Sequence, residues 1–431
     1  MNKTIGIRRE DKSIWEKRTP VIPEDVVGLK EHYGINTIIQ PSKIRVFKDE
    51  EYISAGAKLS EYLDSKFIFG VKEMPVSFFE RKKTYVFFSH TIKGQSYNMP
   101  MLKKIIELED TLIDYERIVD DQNRRLIAFG RFAGIAGMID ILWALGKRLE
   151  WEGYSTPLLH IKRAYEYHGV KELEENSKRI GEKIKIQGFN KEIAPIIIGI
   201  AGYGNVSQGA QEVLHFFPVK EVSPQELPKV TNNENVIYKV VFKEEDMVKI
   251  KDNGKFDLQD YYTNPDKYYS VFKNYLPYLT VLINAIYWNE RYPRLVTKEW
   301  VKKNYRQGIK LKIIGDISCD IEGAIEITKK ATEPGEPVYV YNPKTEEVKM
   351  GFKGEGPVIL AVDILPSEVS RDASIYFSHK LKQFIPEILN ADYPEDFVRC
   401  SLPSHLKKAV IVYKGKLTQD YRYLEENLKK T

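Results

Sequence analysis

Two apolar stretches of the sequence are each followed directly by side chains that can carry a proton. The stretch "FGVKEMP" contains Lys72 and Glu73, and "YVFFSHTIKGQ" contains His90. Burial lowers the pKa of a lysine, and histidine titrates near neutral pH, so both can act as general acids or bases. If the two stretches are parallel strands of one sheet, their carboxyl ends lie at the same edge. The spacing therefore predicts an acid-base pair, Lys72 with His90.

Other polar residues are expected at the same edge. Glu116 follows a further apolar run, Arg18 follows the first strand, Gln95 lies just past His90, and Arg124 precedes "LIAFG". Each residue alone is typical of an exposed strand end or surface, but several such ends in one lobe indicate a site. Arginines bind carboxylates with two parallel hydrogen bonds. We therefore predict an anionic substrate whose carbonyl or amine exchanges protons while a nicotinamide cofactor supplies hydride.

A strand-helix-strand pattern accounts for the position of these residues. The segments "KTIGIRRE", "NTIIQP", "KFIFGVKE", "TYVFFSHT" and "TLIDYE" are predicted strands. Helices are predicted over "PEDVVGLKEHYG", between Pro23 and Gly34, and over "MPMLKKIIELED". Such alternation is typical of a mostly parallel sheet with helices on its faces. We therefore predict an α/β first lobe that ends near residue 130.

A glycine turn marks a second lobe. In "APIIIGIAGYGNVSQGAQEVL", a buried strand leads into Gly202, Gly204 and Ser207 and then into a helix. The first glycine permits a tight turn, and the second lets backbone N–H groups approach a pyrophosphate at the helix N-terminus. Serine is small enough for the third position of this pattern. With Asn205 and Val206 opening the helix, the segment predicts a dinucleotide-binding site.

The cofactor is ambiguous at the next strand, "FPVKEV". A dinucleotide enzyme places an acid at the end of this strand to bind the adenosine ribose. Here Ser223 occupies that position, and Glu221 lies two residues earlier on the same sheet face. With Ser223 no carboxylate repels a 2′-phosphate and NADP is allowed, whereas Glu221 would favour NAD. We favour NADP, with NAD as the alternative.

The pattern predicts two domains. The first, residues 1–132, carries the substrate site and is completed by 321–431, whereas 133–320 form the Rossmann dinucleotide-binding domain with a linking helix at 133–150. In that helix Gly134 and Gly137 would allow close backbone approach. Residues 223–278 are polar and Tyr-rich, which predicts short elements and an elaborated loop. After Asp320 we expect hairpins and then a helix around "SIYFSHKLKQFIPEIL".

Composition excludes several classes of protein. The chain has 431 residues with 66 basic and 61 acidic side chains, so its net charge of +5 is spread rather than clustered as in a nucleic-acid binder. Cys319 and Cys400 have no metal-type spacing, so neither a metal site nor a disulfide framework is expected. No apolar stretch is long enough to span a membrane. We expect a cytoplasmic protein with no nucleic-acid or membrane partner.

Seven segments together resemble a known family. In order they are "IGIRREDKSIWEKRTPVIPEDV", "GVKEMP", "FFSHTIKGQ", "RRLIAFGRFAGIAGMIDIL", "GYGNVSQGAQEV", "LINAIYW" and "DISCDIEGAIE". This order resembles the lysine–2-oxoglutarate reductase domain of bifunctional aminoadipic semialdehyde synthase. More remotely it is similar to fungal lysine-forming saccharopine dehydrogenase and to alanine dehydrogenase. The resemblance implies two Rossmann-like domains with a cleft between a catalytic and a dinucleotide-binding domain.

The resemblance also implies a reaction and assigns residues to it. The reaction is reversible reductive condensation of the lysine ε-amine with 2-oxoglutarate to saccharopine, with Lys72 and His90 as the acid-base groups. Substrate contacts would come from Arg18, Gln95, Glu116, Arg124, Phe129, Ala285, Ile286 and Tyr287. The resemblance places Gly204 and Asn205 on the pyrophosphate turn, and Asp316, Ile317, Ser318 and Cys319 on the loop that ends the last strand of the nucleotide lobe. With Gly202, Val206 and Ser223 from the patterns above, these residues are the predicted cofactor contacts.

Some points stay open at this stage. The chain ends after the reductase portion, so a monofunctional enzyme is expected, and homo-oligomerisation stays open. Arg131 occupies a position expected to vary among relatives, which leaves the amine and the oxoacid to be tested. The alternatives are a related amino-acid or opine-type dehydrogenase and a non-catalytic dinucleotide-binding subunit. Glu73 has no assigned role.

Overall fold

A computed structural model of the protein describes residues 3–252, 254–305 and 308–430. The chain forms two compact units, each built around its own sheet. Unit 1 comprises Met1–Phe129 with Ser370–Thr431, and unit 2 comprises Gly130–Val369. The α/β class expected from the sequence is therefore seen twice in one chain.

The strands are numbered along the chain. They are β1 (Lys3–Ile7), β2 (Ile35–Ile39), β3 (Lys58–Leu59), β4 (Phe67–Phe69), β5 (Thr84–Phe87), β6 (Thr111–Asp114), β7 (Ile196–Ala201), β8 (Val219–Glu221), β9 (Ile237–Phe242), β10 (Val248–Ile250), β11 (Tyr268–Ser270), β12 (Val281–Asn284), β13 (Ile313–Asp316), β14 (Val338–Tyr341), β15 (Val348–Met350), β16 (Val358–Leu360), β17 (Val410–Tyr413) and β18 (Lys416–Leu417).

The α-helices are numbered in the same way. They are α1 (Pro23–Tyr33), α2 (Asp49–Ser54), α3 (Met99–Glu107), α4 (Gly130–Trp151), α5 (Val170–Gln187), α6 (Asn205–Leu214), α7 (Glu244–Met247), α8 (Leu258–Thr263), α9 (Lys298–Tyr305), α10 (Ser370–Leu381), α11 (Phe384–Asn390), α12 (Ser404–Lys407) and α13 (Leu424–Lys429).

The sheet of unit 1 has the strand order β18-β17-β6-β5-β4-β1-β2-β3. Strands β1 to β6 run parallel, and β17 and β18 close one side in antiparallel pairing. Phe69 of β4 is level with Val86 of β5, so these two strands end together. The predicted parallel sheet is confirmed, and the carboxyl ends of β1, β4, β5 and β6 form one continuous edge.

The sheet of unit 2 has the strand order β15-β14-β16-β13-β12-β7-β9-β8. Strand β7, which leads into the glycine turn, pairs in parallel with both β9 and β12. We predicted only short elements for residues 223–278, and most are short, but β9 is a strand of six residues beside β7. It was missed because its sequence, IYKVVF, lacks strict alternation and lies among polar segments.

The return of the chain to unit 1 comes later than predicted. We placed it at residue 321, but residues 321–369 belong to unit 2. The reason is that β16 pairs with β13, and β14 pairs with β16, so the predicted hairpin strands extend the second sheet. The chain first passes from unit 1 to unit 2 between Phe129 and Gly130, where α4 begins, and not between residues 132 and 133 as predicted. The predicted C-terminal helical segment is present as α10 and α11.

Helices α4 and α6 pack with their backbones in close approach. A Cβ atom added to Gly134 of α4 would lie 1.9 Å from the carbonyl oxygen of Val206. A Cβ added to Gly209 of α6 would lie 1.9 Å from the carbonyl oxygen of Arg131. No side chain fits at either point, so these glycines fix the position of α6, the helix that begins at the glycine turn.

The substitution Gly209→Ala should therefore destabilise the protein. Overpacking against backbone that cannot rotate away costs about 1–3 kcal/mol, which urea unfolding followed by far-ultraviolet circular dichroism would detect. Gly28→Ala in α1 is the matched control, since no atom lies within 4 Å of its added Cβ. That variant should be neutral or slightly more stable. Equal unfolding midpoints for Gly209→Ala and wild type would contradict the packing argument.

Candidate functional site

The two predicted proton carriers lie beyond the ends of neighbouring strands in unit 1. Lys72 follows β4 and His90 follows β5, and Glu73, which had no assigned role, is adjacent to Lys72 in the chain and contacts His90. The Glu73 Oε1 atom lies 2.6 Å from Nδ1 of His90, and its Oε2 atom lies 3.0 Å from Nζ of Lys12. The structure thus adds a carboxylate to the predicted pair.

The contact with Glu73 determines how His90 can work. A carboxylate only accepts hydrogen bonds, so Nδ1 of His90 carries the hydrogen in this contact. Nε2 is then the ring nitrogen that can take or give a proton. The imidazole is one-third exposed, with 34% of its side chain accessible. The hydrogen bond at Nδ1 therefore orients His90, and the partly exposed ring can exchange a proton at Nε2, as a general acid or base requires.

Charges around Lys72 and Glu73 shift both groups from their ordinary behaviour. Burial and the nearby Arg18 guanidinium lower the pKa of Lys72, although the Glu73 carboxylate opposes this effect. Burial alone would raise the pKa of Glu73, but the hydrogen bond with His90 and the charges of His90, Lys12 and Lys72 lower it well below its usual range. Glu73 is therefore ionised, and Lys72 is nearer to proton exchange at neutral pH.

The turn that carries His90 is held by a buried carboxylate on the next strand. Asp114, the last residue of β6, accepts hydrogen bonds from the backbone N–H of Ser89 at 3.1 Å and from its hydroxyl. Asn98 donates to the carbonyl oxygen of His90 at 2.9 Å. His90 has a φ of +50°, which non-glycine residues rarely adopt without such support. Burial and the charge of Glu116 raise the pKa of Asp114 to about 6.

Arg18 lies in the same part of unit 1 and is buried. Its Nε and Nη2 atoms donate to the two carboxylate oxygens of Glu16 at 2.7 and 2.6 Å. The guanidinium lies 4.3 Å above the ring of Phe129, which itself stacks on Phe377. Because Glu16 takes one hydrogen from Nε and one from Nη2, Arg18 can still offer both hydrogens of Nη1 and one of Nη2 to a carboxylate.

Three other predicted substrate residues of unit 1 are placed less closely. Glu116 forms an ion pair with Arg125, the residue after Arg124. Arg124 is 72% exposed and donates to Asp120 at 2.7 Å within its own turn. Gln95 is exposed and accepts a hydrogen bond from the Tyr97 hydroxyl at 2.7 Å. The structure brings together Lys72, Glu73, His90 and Arg18, whereas no described contact joins Arg124 or Gln95 to them.

In unit 2 the glycine turn has the shape that the sequence predicts. Gly202 has a φ of +98°, and a Cβ at this position would lie 2.9 Å from the carbonyl oxygen of Ala285. Gly204 precedes α6, makes no side-chain cap and has open space where a Cβ would be. The first N–H groups of α6, from Asn205 and Val206 onward, therefore have no capping side chain and fit the pyrophosphate of a dinucleotide.

Two loops beside this turn hold the remaining predicted residues. Ala285, Ile286 and Tyr287 follow β12, and the side chain of Tyr287 is 67% exposed. Ser318, in the loop after β13, donates from its hydroxyl to the carbonyl oxygen of Ile286 at 2.5 Å. Within the same loop, Ile317 donates through its N–H to the carbonyl oxygen of Asn284 at 3.1 Å. The loops after β12 and β13 are thus joined directly.

Two predicted cofactor residues of the β13 loop are turned inward. Asp316 is 1% exposed, and its carboxylate accepts hydrogen bonds from Asn284 at 2.8 Å and Thr328 at 2.6 Å. Burial raises the pKa of Asp316 to about 6. The Cys319 thiol donates to the carbonyl oxygen of Ala361 at 3.0 Å, and burial raises the pKa of this thiol. Both side chains brace the loop.

The strand predicted to reach the adenosine ribose, β8, is not the neighbour of β7 in the sheet. We selected Ser223 and Glu221 because β8 follows α6 in sequence, but β9 lies between β8 and β7. Ser223 instead donates to Glu226 at 2.7 Å, and Glu221 pairs with Lys239 at 2.8 Å. Ala201 of β7 is level with Phe242 of β9, so Lys243 is the residue level with Gly202.

Neither a metal cluster nor a membrane-spanning helix occurs in the part of the chain that the structure describes. Among residues 3–252, 254–305 and 308–430, no group of three or more His, Cys, Asp and Glu side chains could hold a metal ion. Over the same residues, no helix combines the length and the apolar character needed to cross a bilayer.

These features define an α/β protein of the alanine dehydrogenase type, and solved structures agree. An L-alanine dehydrogenase superposes with a TM-score of 0.64 at 15% identity and covers 99% of both chains. A transhydrogenase from Sinorhizobium meliloti superposes with a TM-score of 0.57 at 14% identity, covering 96% of this chain and 100% of its own. At such identities these likenesses establish the fold alone.

Sequence comparison then gives the family. The alanine dehydrogenase/PNT N-terminal domain matches residues 6–136, and the C-terminal domain of the same family matches residues 266–420. Together the two matches cover more than half of the chain. The chain belongs to the alanine dehydrogenase/PNT family.

Several curated proteins are similar over nearly the whole chain. Alpha-aminoadipic semialdehyde synthase of Arabidopsis thaliana is 37% identical over 98% of this chain and 41% of its own length. The mitochondrial protein of that name from Rattus norvegicus is 34% identical over 98% of this chain and 47% of its own. This chain thus spans less than half of either relative. The lysine-forming saccharopine dehydrogenase of Neurospora crassa is 27% identical over 89% of this chain and 90% of its own.

Sequence reasoning missed three side chains that the structure places in these sites. Glu73 was noted but not assigned, although a carboxylate beside a predicted histidine is a common orienting partner. Glu16 forms the buried pair with Arg18 and lies only two residues from it. Lys243 could not be singled out from sequence, because its position level with Gly202 depends on the order of strands in the sheet.

The glycine turn gives a prediction that separates folding from binding. Gly204→Ala should leave the free energy of unfolding within about 1 kcal/mol of wild type, because the added methyl group meets open space. The same methyl group would obstruct a pyrophosphate, so dinucleotide affinity should fall about tenfold or more in a fluorescence titration with NADPH. Gly202→Ala, which is strained by its positive φ, should lose both stability and binding. Unchanged NADPH affinity in Gly204→Ala would remove this turn from the binding site.

Proposed function

We propose that the protein is a saccharopine-forming lysine–2-oxoglutarate reductase, an oxidoreductase that acts on CH–NH groups with a nicotinamide cofactor. The observation that carries the proposal is the constellation of Lys72, Glu73 and His90 beside buried Arg18 at one edge of the unit 1 sheet. The names of the similar proteins, aminoadipic semialdehyde synthase and lysine-forming saccharopine dehydrogenase, support the choice of substrates.

The proposed reaction needs proton transfers that these residues can perform. The ε-ammonium of lysine must lose a proton before its nitrogen attacks the carbonyl carbon of 2-oxoglutarate, and the neutral form of Lys72 can take it. The carbinolamine then loses its hydroxyl as water, which requires a proton that Nε2 of His90 can supply. Loss of water leaves an iminium ion, hydride reduces its carbon to the secondary amine of saccharopine, and that amine takes up one proton. The hydrogen bond from Nδ1 to Glu73 holds the His90 ring in one orientation during these steps.

The substrate is dianionic at its oxoacid, and the positive groups of unit 1 suit it. Nη1 of Arg18 can bind one carboxylate, with the guanidinium already held by Glu16 and by the Phe129 ring. Lys12, which pairs with Glu73, adds a second cation close to the acid-base pair. The exposed Arg124 and Gln95 would contribute only if their turns move toward the substrate.

The bound dinucleotide would supply the hydride that reduces the imine carbon. Unit 2 would hold its pyrophosphate at the N-terminus of α6, between Gly202 and Gly204. We propose NADP as the preferred cofactor, with Lys243 as the residue that binds the 2′-phosphate. Lys243 is exposed and level with Gly202, and the carboxylate that follows it, Glu244, is already engaged by the Tyr262 hydroxyl at 2.6 Å.

Steady-state assays with defined substrate pairs test the proposed activity. Oxidation of NADPH and of NADH should be followed with lysine plus 2-oxoglutarate and, separately, with pyruvate plus ammonia. We expect turnover with the first pair, and saccharopine should be identified as the product by mass spectrometry. Turnover only with the second pair would show a different amino-acid dehydrogenase, and binding of dinucleotide without turnover of any pair would favour a regulatory subunit.

Replacing the lysine tests its role in the chemistry. Lys72→Met keeps the apolar stem but removes the amine, so turnover should fall by about a thousandfold or more, whereas the Kd for NADPH should stay within about twofold. Lys83→Met is the matched control, because Lys83 is half-buried in the same unit but precedes β5 rather than following it. Lys72→Met with full activity would remove Lys72 from the mechanism.

Replacing Lys243 tests the choice of cofactor. Lys243→Ala should raise the Kd for NADPH by about tenfold and leave the Kd for NADH nearly unchanged, since one charge-assisted contact to a phosphate is worth roughly 1.5 kcal/mol. Lys220→Ala on β8 is the control, because β8 is separated from β7 by β9 and its end should not contact the ribose. A loss of NADPH preference in Lys220→Ala instead would restore β8 as the ribose strand.

A further inference from the structure

We propose that Glu10 is a positioning residue that holds the backbone of the Lys72 turn and thereby keeps the Lys72 amine buried. This inference rests on the proposed function, because it explains how the catalytic lysine is placed. Glu10 lies three residues past the end of β1, the strand next to β4 in the sheet.

The contact between Glu10 and the turn uses both carboxylate oxygens. Oε1 accepts a hydrogen bond from the backbone N–H of Val71 at 2.7 Å, and Oε2 accepts one from the backbone N–H of Lys72 at 3.0 Å. Beyond the end of β4, these two N–H groups have left the ladder with the neighbouring strands. The Glu10 carboxylate satisfies both N–H groups, so it fixes the orientation of the two peptide groups that precede the Lys72 side chain.

The turn leaves little room for an alternative arrangement. Glu10 is 5% exposed, and Val71 is fully buried. A Cβ at Gly70 would lie 2.7 Å from Cε of Met74 and 3.4 Å from Oε1 of Glu10. The close contact is with Met74, so the absence of a side chain at Gly70 leaves room for Met74 to pack beside the carboxylate.

The surroundings of Glu10 disfavour its ionised form, and its hydrogen bonds offset part of that cost. Burial and the nearby Glu16 raise the pKa of Glu10 to about 7, while Arg8 and the two backbone hydrogen bonds lower it. A carboxyl group in such surroundings is unfavourable unless it has fixed donors. The donors are those of the Lys72 turn, so Glu10 and the turn stabilise each other.

A similar contact occurs at the turn after β5. Asp114, at the end of β6, accepts a hydrogen bond from the backbone N–H of Ser89, next to His90, just as Glu10 accepts one from the backbone N–H of Lys72. In both turns, a buried carboxylate from the segment of a neighbouring strand binds backbone N–H groups at or next to the proposed proton carrier. Glu10 differs because it binds the N–H of the catalytic residue itself.

Glu10→Gln is the direct test, since the amide has the same shape but only one acceptor oxygen. One of the two N–H groups then faces an NH₂ group, and the turn should open. We expect kcat to fall by about tenfold to a hundredfold, with little change in the KM or Kd for the dinucleotide. Full activity in Glu10→Gln would overturn the proposal.

A second readout separates positioning from a purely structural or electrostatic effect. The reactivity of Lys72 toward acetic anhydride, followed by mass spectrometry as a function of pH, reports its pKa without turnover. The charged groups facing Lys72 are Arg18, Glu73, Lys12 and Glu16, and all four remain in the variant. If the turn opens, Lys72 gains water contacts and its labelling midpoint moves to higher pH. Loss of the Glu10 charge alone would move the midpoint to lower pH, so a downward or absent shift would contradict the proposal.

Asp110→Asn is the matched control. Asp110 is a buried carboxyl of the same unit that accepts from the backbone N–H of Lys83 at 2.9 Å, and burial raises its pKa to about 7 as well. It precedes β6, at the other end of the strands. Asp110→Asn should change neither kcat nor the labelling of Lys72, and an equal effect of both variants would show general destabilisation.

The two levels of inference can fail independently. If wild type does not turn over lysine plus 2-oxoglutarate but Glu10→Gln still raises the labelling midpoint of Lys72, the proposed function fails and the positioning role stands. If wild type is active and Glu10→Gln leaves both kcat and labelling unchanged, only the positioning role fails. Should Glu10→Gln not fold, Glu10→Asp, which keeps the charge but shortens the side chain, is expected to shift both readouts in the same directions.

Discussion

The structure of unit 1 depends on one constraint, that parallel strands end at the same edge and leave backbone N–H groups there without ladder partners. The chain meets this constraint with buried carboxylates, Glu10 for the turn after β4 and Asp114 for the turn after β5. Those two turns carry Lys72 and His90. The contacts that satisfy these backbone N–H groups are therefore also the contacts that position the two proposed proton carriers.

In unit 2, glycines both shape the proposed binding turn and position the helix that follows it. The glycines that permit the tight turn after β7 lie close to those that bring α4 and α6 into backbone contact, so the helix that would face the pyrophosphate is fixed by packing and not by a capping side chain. The open space at Gly204 and the uncapped N-terminus of α6 are what a dinucleotide phosphate requires. In the proposed site the binding groups are backbone N–H groups, and the side chains of Asp316 and Cys319 in an adjacent loop turn inward.

Much of the arrangement could be predicted from sequence because it depends on local pattern. Apolar runs followed by polar residues predicted the strands β4, β5 and β6, and the glycine spacing predicted the turn after β7. Contacts between distant segments could not be predicted in the same way. Because β9 pairs with β7, Lys243 and not Ser223 lies level with Gly202, and because β16 pairs with β13, unit 2 extends to residue 369. Glu73 was visible in sequence, but only the 2.6 Å contact with Nδ1 gives it a role.

We propose that Glu73 acts through His90 in one proton-transferring unit, and a double-mutant cycle of the two residues tests this most directly. The value of kcat/KM with lysine and 2-oxoglutarate should be measured for Glu73→Gln, His90→Gln and the double variant. Because Glu73 orients His90, Glu73→Gln should lower kcat/KM by about tenfold or more in the wild-type background and by less than about twofold once His90 is replaced. Independent, multiplicative losses from the two substitutions would contradict this account.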